Sequence, residues 1–215
     1  MMDKADVVVN HVCVTIHKKS ILRDVSLECY PGRCTGIYGH NGSGKSMLLK
    51  AICGLIQFKC GEIHVLDRKV GVNGQFPQKT GCLIENPGFL DQYSGLKNLE
   101  ILASIHKTVS KESICNWMKR FALDPENRNK YKTYSLGMRQ KLGIIQAMME
   151  DQQVVILDEP TNNLDSAAKE TLFQVIKELT SMNKTVLIVS HDMEEITRAC
   201  NDVYEMDEGV ITKRR

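Results

Sequence analysis

The segment GHNGSGKS, Gly39 to Ser46, restricts this chain more than any other stretch of its 215 residues. It fits the pattern G-x-x-x-x-G-K-[ST]. A strand-like run, Cys34 to Tyr38, precedes it, and a helical run from about Ser46 to Cys53 follows, with Gly54 as a stop. Backbone N–H groups that turn inward around an anion need the positive φ and missing Cβ of glycine. The helix behind them aims an N-terminal charge of about +0.5 at the same point. The spacing therefore predicts a phosphate cradle made of Gly39, His40, Asn41, Gly42, Ser43, Gly44, Lys45, Ser46 and Met47. Lys45 is expected to supply an ammonium for the β- and γ-phosphates, and Ser46 an oxygen for Mg²⁺. His40 fills a variable position of the pattern and is given no role of its own.

The rest of the chain alternates short β-rich runs with helical ones. Val7 to Ile16, Val25 to Cys29, Ile63 to Leu66 and Gly81 to Ile84 read as strands. From Leu96 to about Glu150 the apolar spacing is helical only. Strand and helix then alternate again: VVIL is a buried strand, Ser166 to Leu179 a helix and TVLIVS another buried strand. Asp192 and Glu195 suggest a capping box for a last helix, and Val203 to Ile211 a hairpin turning at Asp207-Glu208-Gly209. Buried strands between helices imply a mostly parallel sheet covered on both faces. The expected fold is α/β, with an antiparallel β part at the N-terminus and a helical subdomain inserted into one domain. Residues 1–85 and 151–215 form the core of this division and about 86–150 the insert.

Hydrophobic residues at 42% and charged ones at 25% suit a single globular domain of this length. A net charge of +2 leaves no broad electrostatic footprint for nucleic acid. The apolar runs fall short of a membrane span, and MMDKADVVVN lacks the apolar core of a secretory signal. None of the eight cysteines has C-x-x-C spacing, so buried reduced thiols in a reducing cytosol are expected ahead of a metal or redox site.

A phosphate cradle needs a carboxylate partner, and Val154 to Glu159, VVILDE, supplies a buried strand ending in two. Asp158 is expected to hold Mg²⁺, because hard cations take oxygen ligands. Glu159 is placed to orient and polarise an attacking water. TYSLGMRQK (Thr133 to Lys141), LDEPTNNLD (Leu157 to Asp165) and VSHD (Val189 to Asp192) complete an ordered set. With these motifs the chain resembles, over nearly its whole length, the ATP-binding subunit of an ABC transporter on a P-loop NTPase core.

The resemblance implies roles that spacing alone does not. Ser135, Leu136, Gly137 and Met138 match the family signature, which binds the γ-phosphate held by the opposite subunit of a head-to-tail dimer. On its own, Ser135 reads equally well as a helix cap. Leu136 and Met138 depart from the commonest spelling, LSGGQ. His191 resembles the switch histidine that contacts the γ-phosphate, and Asp165 the aspartate of the dimer contact. Two further departures stand out. The family's adenine-stacking aromatic falls at about Ile16 or His17, neither a strong platform, so GTP could replace ATP. Its glutamine after a core strand is here Glu85, expected as a metal-side ligand and coupling residue beside Mg²⁺.

Glu85 and the spelling YSLGM resemble the ATPases of bacitracin-type and lantibiotic-immunity exporters. The implied protein hydrolyses ATP on the cytoplasmic side of the cell membrane, as a homodimer or paired with a related subunit. It would drive a permease on a separate chain and bind no nucleic acid. The rival reading is a soluble ATPase of the same type acting as a scaffold or mechanochemical module, although this chain lacks the tandem halves, coiled coils or basic extensions of such proteins. A small-molecule kinase leaves YSLGM unexplained.

Overall fold

Two sheets and six helices build the chain in a computed structural model that describes residues 4–71, 75–85 and 87–215. The larger sheet has the order β10 (Val210–Lys213), β9 (Asp202–Asp207), β3 (Cys34–Tyr38), β8 (Thr185–Ser190), β7 (Val154–Asp158), β6 (Thr80–Leu83). Its five inner and far-edge strands are parallel, and only β10 turns back, antiparallel to β9. Glu208 and Gly209 both have positive φ, as a two-residue hairpin turn of this hand requires.

Strand alternation decides what covers each face. In β7 and β8, Val155, Leu157, Val186 and Ile188 point one way and Val154, Ile156, Leu187 and Val189 the other. The first set packs with α4 (Leu136–Met148), α5 (Ser166–Ser181) and α6 (Met193–Ala199) through Leu142, Ile145, Leu172, Ile176 and Ile196. The second set meets Leu48, Leu49 and Ile52 of α1 (Lys45–Ile52) and the smaller sheet. That sheet is antiparallel, in the order β2 (Lys19–Cys29), β1 (Val7–Ile16), β4 (Cys60–Val65), β5 (Arg68–Lys69). The main sheet is thus covered on both faces, by helices on one side and by α1 with a second sheet on the other.

Between β6 and β7 the chain is helical: α2 (Gly95–His106), α3 (Lys111–Arg120), a 3₁₀ turn at Tyr131–Thr133, then α4. Ser94, Ser110, Ser135, Asp165 and Asp192 cap the helices that follow them by accepting backbone N–H bonds. The boundary expected at residue 86 lies outside the described residues, as does the extreme N-terminus through residue 3.

Three local readings change. The strand read at Val25–Cys29 is the second half of β2, which starts at Lys19 because His17 and Lys18, both at positive φ, turn the chain straight back from β1. Its first half, KSILRD, is mostly exposed and carries too few apolar residues to signal a strand. The capping box at Asp192 is one-sided: Asp192 accepts from the N–H groups of Glu194 and Glu195, while the Glu195 carboxylate instead takes the Thr161 hydroxyl and the Lys169 ammonium, the latter at 2.7 Å. Finally, Cys13 and Cys60 lie side by side and neither is buried, where separate buried thiols were expected. They face each other across the β1–β4 register with Cα atoms 5.2 Å apart, a pairing that 47 residues of separation conceal in the sequence. Among the described residues no helix is long and apolar enough to cross a membrane.

Candidate phosphate and metal site

Strand β3 delivers the chain to the carboxyl edge of the main sheet, and the glycine loop turns there into α1. Gly39 tolerates no side chain, since a Cβ would stand 2.1 Å from the Met206 carbonyl oxygen of β9. Gly44, at φ +115°, starts α1 from a conformation that other residues rarely adopt. The loop is tied to the β9–β10 hairpin, where the Gly209 N–H donates to the Ser43 carbonyl at 2.8 Å. His40 Nε2 also lies 3.0 Å from Asp207 Oδ1. The Asn41 carbonyl and then Asp207 raise the His40 pKa, so the side chain ignored in the sequence anchors the loop from outside.

Lys45 is buried, and its Nζ donates to the carbonyls of Gly39 at 2.6 Å and His40 at 3.1 Å. Burial pushes this ammonium's pKa down, against the pull of Glu159 and Asp158. The ammonium is therefore held inside the loop, poised for a stronger anionic partner. Ser43 Oγ is likewise buried and has no hydrogen-bond partner.

Asp158 ends β7 and is buried, with Oδ1 unpaired. Burial raises its pKa, the Ser46 side chain lowers it, and Glu159 raises it again; the smaller effects of Lys45 and Glu85 oppose each other. A buried carboxylate oxygen with no partner is costly unless something else satisfies it. Ser46 and Asp158 are hard oxygen donors in one place, and they fit Mg²⁺, which retains several waters and takes few protein ligands. No group of three His, Cys, Asp or Glu that could enclose a metal occurs among the described residues.

Glu159 follows at φ +47°, its N–H bonded to the Val189 carbonyl of β8 at 2.9 Å. That bend brings its carboxylate between two partners, with Oε1 3.9 Å from Lys45 Nζ and Oε2 2.8 Å from His191 Nδ1. The Ser190 hydroxyl reaches Oε2 at 3.5 Å. Positions far apart in the chain thus meet where β3, β7 and β8 end, as side-by-side parallel strands require.

Other expected residues have their partners outside this cluster. Glu85, at φ +56°, is bound to Lys50 Nζ at 2.5 Å rather than held as a free carboxylate. Ser135 is exposed and caps α4 through the Met138 N–H at 3.2 Å. Leu136 beside it is 66% exposed. Gly137 backs onto the Asn163 carbonyl, and Met138 packs partly against the core. Asp165 caps α5 and pairs with Lys141 at 3.2 Å. The Ala168 N–H and Lys141 hold its pKa below the usual carboxylate range. Ile16 and His17 sit at the β1–β2 turn, both exposed.

Sequence reasoning overlooked two residues, Gln140 and Lys50. Gln140 Nε2 donates to the carbonyls of Glu159 and Pro160, each at 3.1 Å, so α4 grips the segment that carries Glu159. The only trace of this in the sequence is an amide among the apolar residues of α4.

The description "ABC transporter" belongs to the family model that matches residues 22–162. The chain is 36% identical to the uncharacterized ABC transporter ATP-binding protein YybJ of Bacillus subtilis (strain 168), over 90% of this chain and 89% of that protein. It is 32% identical to the bacitracin transport ATP-binding protein BcrA of Enterococcus faecalis, over 88% of this chain but only 62% of the relative's length. A solved structure described as the ATP binding subunit of an ABC transporter superposes with a TM-score of 0.89 at 22% identity, covering 97% of this chain and 89% of the other.

Proposed function

The chain belongs to the ABC transporter family as an ATP-binding, ATP-hydrolysing subunit, and we propose that it powers a permease on a separate chain that exports a peptide antibiotic or bacteriocin. Its place would be the inner face of the cell membrane, in a head-to-tail pair with itself or a related subunit. The observation that carries the catalytic part is the meeting of Lys45, Asp158, Glu159 and His191 at one sheet edge, with Asp158 Oδ1 buried and unpaired. Similarity to BcrA, together with the carboxylate at Glu85, supports the peptide substrate.

In this reading the loop N–H groups and Lys45 take the β- and γ-phosphates, the ammonium leaving the Gly39 and His40 carbonyls for the stronger anion. Ser46 and Asp158 would hold Mg²⁺, which when bound neutralises charge that builds on the phosphate oxygens. Glu159 accepts a proton from the attacking water. His191 Nδ1, 2.8 Å away, fixes the direction of that carboxylate and keeps the imidazole near the γ-phosphate position. Ser135 and the open start of α4, exposed on this subunit, offer N–H groups to the nucleotide of the partner subunit.

Glu159→Gln should leave ATP binding intact and slow hydrolysis by roughly 10²–10⁴-fold, the usual contribution of a positioned acid or base. Cells carrying that variant should lose resistance to the exported peptide in growth-inhibition assays, and affinity capture should retrieve a polytopic membrane protein. Full resistance with Glu159→Gln, or capture of soluble partners alone, would overturn the export reading.

A further inference from the structure

The structure assigns Lys50 a task that no motif predicts: we propose that it is a positioning residue for Glu85, a clasp that withholds a third carboxylate from the metal site until a divalent cation competes for it. This rests on the reading of Ser46 and Asp158 as that cation's ligands.

The geometry begins on α1. Ser46 and Lys50 are four residues apart, so they share one face of the helix, Lys50 one turn below the hydroxyl. That face looks toward the end of β6, where the register sets Leu83 beside Leu157. One residue past Leu157 comes Asp158, and two past Leu83 comes Glu85, so neighbouring parallel strands deliver both carboxylates to the same edge. Glu85 takes a left-handed φ of +56° there, and its Oε1 lies 2.5 Å from Lys50 Nζ.

Charge explains why the clasp is useful. Among the described residues the lysines beside these three carboxylates are Lys45, near Asp158 and Glu159, and Lys50, on Glu85, while His191 meets Glu159; Lys45 is committed to the loop. A free Glu85 would add a third negative charge close to where a triphosphate must enter. Paired with Lys50 it repels little. The pair is nonetheless weak enough to open, since the Glu85 side chain is 62% exposed and that of Lys50 23%. A doubly charged cation, brought in with the nucleotide, outbids a single ammonium for the same oxygen.

The test is the Mg²⁺ dependence of binding of a fluorescent N-methylanthraniloyl ATP, measured by fluorescence rather than turnover, with melting curves to verify folding. Lys50→Met should lower the half-saturating Mg²⁺ concentration by about two- to five-fold, the equilibrium equivalent of a partly exposed ion pair. Lys50→Gln should do the same, and Lys50→Arg should behave like the parent. In a Glu85→Gln background Lys50→Met should have no effect. An unchanged or weakened Mg²⁺ dependence in both neutral variants, or an equal shift without the Glu85 carboxylate, overturns the clasp. Asp158→Asn separates the two claims: if it leaves the Mg²⁺ dependence intact, the ligand reading itself fails. If it removes that dependence while the Lys50 variants change nothing, only the clasp fails.

Discussion

Lys45 shows how a single residue can be both structural and functional. In the folded chain its ammonium satisfies two loop carbonyls while burial disfavours its charge, so the loop is held in shape by the group that, in the proposed function, leaves those carbonyls for a phosphate. Lys45→Ala removes the counter-charge and leaves the Gly39 and His40 carbonyls without that donor. Equilibrium dialysis with ATP-Mg²⁺ should show affinity falling at least about 100-fold, as loss of a charge-assisted contact of roughly 3 kcal/mol gives. Glu159 makes a different point. At its left-handed φ one carboxylate faces Lys45 and His191 together.

Helix α4 joins two surfaces at the scale of an element. Its first turn is exposed around Ser135 and Leu136, and its second turn holds the Glu159–Pro160 backbone through Gln140. A ligand docked on the open helix start would thereby act on the segment that carries Glu159. Ser135→Arg places a bulky cation on the exposed end while leaving the phosphate cradle untouched. ATP binding by the isolated subunit should stay within about two-fold, whereas hydrolysis should fall by at least about ten-fold if the second half of the site comes from a partner. Normal turnover would sink the composite site.

For the whole molecule, a polar contact reinforces the backbone pairing of two strands far apart in the chain, β3 and β9. Arg33, just before β3, donates from Nε and Nη2 to Asp202 at the start of β9, at 2.6 and 2.9 Å. Burial alone would raise the Asp202 pKa, but Arg33 and, at 3.6 Å, Lys213 together more than offset it, and the net shift is downward. A depressed folded pKa means that this stabilisation is complete above the unfolded value of about 3.9 and disappears as pH falls through the folded one. Asp202→Asn should therefore cost about 1–3 kcal/mol near neutrality. Denaturant titrations of the two proteins should show the gap beginning to narrow as pH falls below about 3.9 and closing only below the depressed folded pKa. A gap that stays constant down the acid limb would mean that the carboxylate charge is not what matters.

Much of the candidate site's geometry was readable because its parts are local. A glycine loop, a buried strand with two acids and a buried strand with a histidine each carry their geometry within a few residues, and parallel strands bring their ends together. The interactions across elements were not readable. Cys13 meets Cys60 only through the β1–β4 register. Glu85 finds Lys50, 35 residues earlier, only because α1 and β6 are neighbours. Gln140 reaches Glu159 only once α4 lies against the end of β7. Periodicity likewise required both faces of the main sheet to be covered, since its strands are apolar on both sides. It could not say that one cover would be a second sheet, because Val154 and Val155 are equally apolar and only packing assigns them opposite partners.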